Sequence, residues 1–199
     1  MTIITINGKN ERLGKLFKTP KHLLLKDGMT AIERTVNYMT ERGPYIVICG
    51  GHYDQGLLGF NRVVVSPTKN VIETIQQGLK APSQQELYII DCDVIPIKLN
   101  QPKGNTVYLF RNEEKRLQYS NFEVRDDEVL SCNEKEQIFD YAGAGVYYFE
   151  SVGTFFKYSN YCESVSDVYK KMLVANVRVT ADTTSEIFRF GTLHDITGL

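Results

Sequence analysis

Short runs of β-branched and aromatic residues recur along the chain and alternate with stretches whose apolar positions fall at helical spacing. Thr2–Ile6, Tyr45–Cys49, Arg62–Val65, Leu87–Ile90, Thr106–Phe110, Gly145–Phe149 and Ile187–Phe190 read as strands. Between them, Thr30 with Glu33 forms a capping box, and Ile32, Val36 and Met39 follow at i, i+4, i+7. Asn70 with Glu73 gives the same start signal before Ile75 and Leu79, and Ser164 precedes Val165, Val168 and Met172. Strands alternating with helices from the first residues predict an α/β fold. The expectation is a Rossmann-like α/β/α sandwich with a mostly parallel mixed sheet. Residues 117–136 break the rhythm. Leu117–Val124 and Glu128–Cys132 read as two short strands joined by Asp126 and Asp127, an inserted antiparallel hairpin.

At 199 residues and 42% hydrophobic composition, the chain is sized for one core, so residues 1–199 are expected to form a single domain. Lys plus Arg total 23 against 24 Asp plus Glu, which lacks the positive excess that general nucleic-acid binding needs. The charge is unevenly spread: residues 1–35 carry a net +4 and residues 121–140 a net −5. A basic first segment in a balanced chain suits a local anionic ligand. Cys49, Cys92, Cys132 and Cys162 are scattered, with no CxxC pair and no His at zinc-ligand spacing, and are expected reduced. The start MTIITI has no basic leader region, and the apolar runs are strand-sized, so a cytoplasmic protein with no membrane partner is expected. His22, His52 and His194 show no spacing that names a catalytic triad.

Four segments carry candidate chemistry. The first strand enters a basic loop, Asn7–Lys15, that contains Gly8 and Gly14. It is neither a Walker loop, being one residue too long with Leu16 at the hydroxyl position, nor a GxGxxG fingerprint. Next come Thr19-Pro20-Lys21-His22-Leu23-Leu24 and Asp27-Gly28. The third strand-end feature is Asp91-Cys92-Asp93, whose carboxylates suit a hard divalent cation. Finally Asn133-Glu134-Lys135 precedes Tyr141–Phe149, a strand containing Gly143 and Gly145.

In that order and spacing the segments resemble the sugar-phosphate nucleotidyltransferase superfamily, which includes choline-phosphate cytidylyltransferases. The family opens with a strand, a GGxGTR-like loop and PKxLL, onto which Gly8, Arg12, Pro20, Lys21, Leu23 and Leu24 fall. Asn7 and Asn10 replace glycines, and Glu11 replaces a small hydroxyl residue. The resemblance implies that Gly8 and Asn10 line the triphosphate and that Arg12 and Lys21 act as its catalytic, solvent-accessible cations. Asp93, with Asp91 beside it, would hold Mg²⁺. Glu134, Lys135 and Gly143 would bind the acceptor, as in the family's Glu-Lys pair and NAGxYxF strand. Asn70 and Thr74 occupy the region where members read the base. Phe188–Asp195 is similar to the closing WxDxGT turn, with Gly191 and Thr192 matching and Arg189 standing where the family has a second metal-binding Asp.

The implied activity is transfer of a nucleoside monophosphate from a nucleoside triphosphate to a phosphorylated small molecule, with release of pyrophosphate. Its implied substrates are that triphosphate and a phosphomonoester acceptor. The alternative is a catalytically degenerate nucleotide- or sugar-phosphate-binding subunit of the same fold, to which Arg189 points. An unrelated oxidoreductase is disfavoured by the missing dinucleotide fingerprint. A homodimer is compatible with either reading; base, acceptor and oligomeric state stay open.

Overall fold

The computed structural model describes residues 1–6, 20–26, 28–50, 57, 59–113, 115, 119–134 and 138–190. Its first strand, β1 (Thr2–Ile6), is buried throughout, with Ile3 in one core cluster and Ile4 and Ile6 in another. A strand apolar on both faces belongs between two layers. A 3-10 turn (Lys21–Leu23) and a short ladder, β2 (Leu25–Lys26) with β3 (Met29–Thr30), lead into α1 (Ala31–Thr40). Both halves of the expected capping box form: the Thr30 hydroxyl accepts from Glu33 N–H, and the Glu33 carboxylate accepts from Thr30 N–H at 2.7 Å. This removes two orphan amide donors from the helix start. Ile32, Val36 and Met39 are buried on the inner face, each contributing roughly 1.5–3 kcal/mol of apolar burial.

β4 (Tyr45–Gly50), β5 (Arg62–Val65), α2 (Val71–Leu79), β6 (Leu87–Asp91) and β7 (Val94–Lys98) follow. Then come β8 (Thr106–Arg111), β9 (Ser120–Arg125), β10 (Glu128–Glu134) and β11 (Tyr141–Phe149). The chain closes with α3 (Val152–Ser159), α4 (Val165–Val174), β12 (Thr180–Asp182) and β13 (Glu186–Arg189). The main sheet has the order β5-β4-β1-β6-β11-β8-β12-β10-β9, while β13 and β7 form a separate antiparallel pair. The strands β5, β4, β1 and β6 run parallel, as expected. Beyond β6 the sheet turns antiparallel, apart from β8 with β12, so the parallel part is one half of it. The antiparallel hairpin is present as β9 and β10, joined by Asp126 and Asp127 at φ 51° and 57°. Those positive angles are what a two-residue hairpin turn matching the strand twist requires.

The layers are those of an α/β/α sandwich. α2, α3 and α4 cover one face through Ile72, Ile75, Val152, Phe155, Val168 and Met172, and α1 covers the other. Tyr169 on α4 stacks on Phe149 at 4.9 Å and donates its hydroxyl to the carbonyls of Thr106 and Tyr148, at 2.8 and 3.0 Å. That pair of bonds fastens α4 to β8 and β11 without leaving a buried phenol unsatisfied. Among the described residues no helix is long and apolar enough to cross a membrane.

This topology decides where ligands can gather. Chain connections leave β1 toward β4 on one side and reach β6 on the other, so a switch point lies between β1 and β6, where crevices open at strand carboxyl ends. Thr5 of β1 stands beside Asp91 of β6 at that point.

Candidate active site

Asp91 is the last residue of β6 and Asp93 lies in the turn to β7, so both carboxylates sit at the switch point. Pro20, extended at φ −56° and ψ 144°, starts the 3-10 turn that brings Lys21 to them. Lys21 Nζ meets Asp93 Oδ2 at 2.8 Å, and the two side chains are only 12% and 25% exposed. The Lys21 side chain, expected to be open to solvent, is therefore mostly covered and held by a carboxylate. Its neighbour His22 is buried, and burial pushes its pKa down to about 4, so the imidazole is neutral near pH 7.

Burial raises the Asp91 carboxyl to about 8, reinforced by the Asp93 and Glu134 carboxylates and opposed by the Lys21 ammonium. Asp91 therefore lies within the field of both other acids. Glu134 ends β10, and its Oε2 accepts from Ser120 Oγ on β9 and from Ser166 Oγ on α4, the latter at 2.8 Å. Tyr147 on β11 is buried, and its phenol is raised first by that burial and then by the Asp91 and Glu134 carboxylates. Its hydroxyl lies 3.6 Å from the point a Cβ on Gly143 would occupy. Ser120, Ser166 and Tyr147 were not among the sequence candidates. Tyr147 alone left a trace, since it follows Gly145 by two residues and so shares its side of β11.

The glycine whose backbone runs closest to the acidic turn is Gly145 rather than Gly143. Gly145 has φ +78°, and a Cβ there would fall 2.9 Å from Val94 Cγ1 and 3.2 Å from Asp91 Oδ2. At Gly143 the nearest atom is Phe122 Cε2 at 3.4 Å, an ordinary contact. Asn70 and Thr74 also find a different use. Asn70 caps α2 by accepting from Glu73 N–H at 2.9 Å. Thr74 is fully buried, bonding the Asn70 carbonyl at 3.0 Å and the Thr68 hydroxyl at 2.6 Å. Both build the helix start, and burial takes the Thr74 hydroxyl out of reach of a base. Gly8, Asn10, Arg12, Lys135, Gly191 and Thr192 lie outside the described residues.

The fit of a divalent cation follows from the donor set. Among the described residues no group of three or more His, Cys, Asp or Glu gathers into a ready-made metal site. Two carboxylates beside one another, one of them destabilised in its charged form by burial and then by its neighbours, still match the one or two protein ligands that Mg²⁺ uses beside phosphate oxygens and water.

No protein-family model matches the chain, and neither does any curated protein sequence. Solved structures do match. A nucleoside-diphosphate-sugar pyrophosphorylase from Vibrio cholerae superposes with a TM-score of 0.80 at 16% identity, covering 100% of this chain and 98% of its own. A CTP:phosphocholine cytidylyltransferase from Streptococcus pneumoniae gives 0.74 at 17% identity over 99% and 96% of the two chains. The inositol-1-phosphate CTP transferase of T. maritima gives 0.74 at 12% identity over 98% and 90%. The chain has the α/β fold of nucleotidyltransferases, as its motif order implied.

Proposed function

We propose that the protein transfers a nucleoside monophosphate from a nucleoside triphosphate to a phosphorylated small molecule, releasing pyrophosphate. The observation that carries this reading is the Lys21–Asp93 pair at 2.8 Å, at the β6 strand end that also holds Asp91, with the Glu134 carboxylate near enough to act on Asp91, at the switch point of a nucleotidyltransferase-like sheet. Two polyanions must be aligned in this reaction, so charge neutralisation and orientation dominate over covalent chemistry. The acceptor phosphate is already ionised and needs no general base.

In this reading Lys21 turns from Asp93 toward the triphosphate, together with Arg12 of the basic loop. Asp93 and Asp91 would hold a Mg²⁺ ion, which supplies charge neutralisation at the phosphates. Glu134, with one oxygen fixed by two hydroxyls, accepts from the acceptor and sets its direction of approach, and Lys135 meets its phosphate. Gly145 lets β11 pass close to Asp91, so that the acceptor side and the nucleotide side share one wall.

The test follows label. With triphosphate labelled at the α-phosphorus, the label must appear in a nucleotide-linked product. With label at the γ-phosphorus, it must appear in pyrophosphate. Label released instead as inorganic phosphate, or an α-label that stays in triphosphate with every sugar 1-phosphate, inositol 1-phosphate and phosphocholine offered, refutes the reading.

A further inference from the structure

Glu134 closes β10 directly opposite Ser120 of β9 in the antiparallel ladder. Its Oε2 accepts from two hydroxyls, that of Ser120 across the strand pair and that of Ser166 from the helical layer, the second at 2.8 Å. Ser166 is the second residue of α4 and is only 2% exposed. β10 holds it from a second point: the Cys132 thiol, two residues before Glu134 on the same side of the strand, donates to the Ser166 carbonyl at 3.4 Å. Ser164 stands behind it. This residue caps α4 by accepting from Asp167 N–H at 3.2 Å, and its hydroxyl lies 2.8 Å from Ser166 Oγ. Hydrogen-bonded groups therefore run without a break from the first turn of α4 through Ser164 and Ser166 to the Glu134 carboxylate. They start from the helix end whose dipole favours negative charge.

Docking α4 on the sheet does not call for this arrangement. Val165, Val168 and Met172 already join the core beneath the helix, and replacing a buried polar pair by apolar groups of the same shape is close to neutral. What the hydroxyls add is direction. A glutamate side chain has several torsions to lose, and donors from a strand and a helix meeting on one oxygen hold the carboxylate in one orientation. The clamp is built against β11, since Ser120 Cβ lies 3.9 Å and the Tyr147 hydroxyl 3.6 Å from the point a Cβ on Gly143 would occupy. We propose that Ser166, assisted by Ser120, is a positioning residue: buried away from the substrate, it acts through Glu134 by fixing the direction in which that carboxylate meets a donor group of the acceptor. The proposal rests on the acceptor-side reading of Glu134 given above, and adds the residues that orient it.

A double-mutant cycle read by binding tests it. Glucose 1-phosphate, inositol 1-phosphate and phosphocholine, and separately the five common triphosphates, are titrated calorimetrically into wild type and variants checked for folding by circular dichroism. The variants are Ser166→Ala, Ser166→Thr, Ser120→Ala, Glu134→Gln, and Ser166→Ala combined with Glu134→Gln. Ser166→Ala is expected to weaken the tightest-bound phosphomonoester about tenfold and to leave triphosphate affinity within about twofold. Ser166→Thr, which keeps the hydroxyl, restores most of the loss. On top of Glu134→Gln, the alanine substitution weakens binding by no more than about twofold, whereas a residue that merely supports the fold would act by the same factor in both backgrounds. If Glu134→Gln alone abolishes phosphomonoester binding, the threonine rescue and the spared triphosphate decide. Should Ser166→Ala not fold, Ser120→Ala, alone and with Glu134→Gln, decides by the same criteria. Equal losses for phosphomonoester and triphosphate, equal losses in both backgrounds, or no phosphomonoester bound by wild type overturns the proposal. A folded Ser166→Ala without effect beside a damaging Glu134→Gln removes the proposal alone, while a Glu134→Gln without effect removes the acceptor-side reading and the proposal with it. The expected pattern together with no pyrophosphate release from any triphosphate would sink nucleotidyl transfer and leave the positioning assignment standing.

Discussion

Replacing Gly145 by alanine puts one methyl group where the sheet and the acidic cluster have no room for it. Two costs can be worked separately. At φ +78° a non-glycine residue in the left-handed region loses roughly 1–2 kcal/mol. The new Cβ would stand 2.9 Å from Val94 Cγ1 and 3.3 Å from Asp91 Cβ, and overpacking of this kind costs about 1–3 kcal/mol. Together they predict a loss of about 2–5 kcal/mol. With urea slopes of roughly 1–3 kcal/mol per molar, the midpoint should fall by about 1 M or more. Gly143→Ala is the control, two residues along the same strand, with its nearest neighbour at 3.4 Å. There the entropy removed from the unfolded chain offsets the contact, and the midpoint should stay within about 0.5 M. Urea unfolding followed by circular dichroism reads both. Equal midpoints for the two variants would refute the assignment of the close approach to Gly145.

Other outcomes follow from the same site. Lys21→Ala should weaken triphosphate binding by about 10- to 100-fold, the loss of a charge-assisted contact worth roughly 1.5–3 kcal/mol; calorimetric titration of the five common triphosphates reads it, and unchanged affinity for all of them removes Lys21 from the site. Glu134→Gln should raise the acceptor KM while sparing triphosphate affinity, and the reverse pattern would take Glu134 off the acceptor wall. Because the folded Asp91 carboxyl is raised to about 8 from an ordinary 3.8, the folded state holds more protons than the unfolded chain between those values. Stability should therefore be lost as pH rises through that window, with a slope of up to about 1.4 kcal/mol per unit for one such group. Asp91→Asn should raise Tm at pH 8 more than at pH 5, and an equal change at both would count against this. His22 works in the opposite sense, since its contribution is present above its ordinary 6.5 and lost as pH falls through about 4.

Elements with strong local signals were legible in the sequence. β1, β4, β5 and β6 show as β-branched or aromatic runs, and α1, α2 and α4 announce themselves by Thr30, Asn70 and Ser164, each of which caps its helix. β7 hides behind Pro96, a residue tolerated there because the strand belongs to a two-stranded pair. α3 carries Gly153 near its start and two adjacent phenylalanines, a pattern with weak helical preference. Strand order, which creates the switch point, is a tertiary property that no local window contains. The same division holds at the site. Asp91, Asp93 and Glu134 were legible as carboxylates at strand ends, but the Lys21–Asp93 pair joins residues 72 apart. Which glycine of β11 needs a positive φ depends on how closely that strand passes Asp91. The stacking of Arg189 on Phe110 likewise depends on β13 pairing with β7.

Pyrophosphate release tests the central claim most directly. Wild type is incubated with each triphosphate and each phosphorylated acceptor, with Mg²⁺ and with EDTA, alongside Asp93→Asn. The account predicts release only when triphosphate and acceptor are both present, its loss in EDTA, and its loss in folded Asp93→Asn. A folded wild-type protein that binds a triphosphate tightly in EDTA yet releases no pyrophosphate with any pair would contradict it, and would make the chain a nucleotide-binding subunit without catalysis.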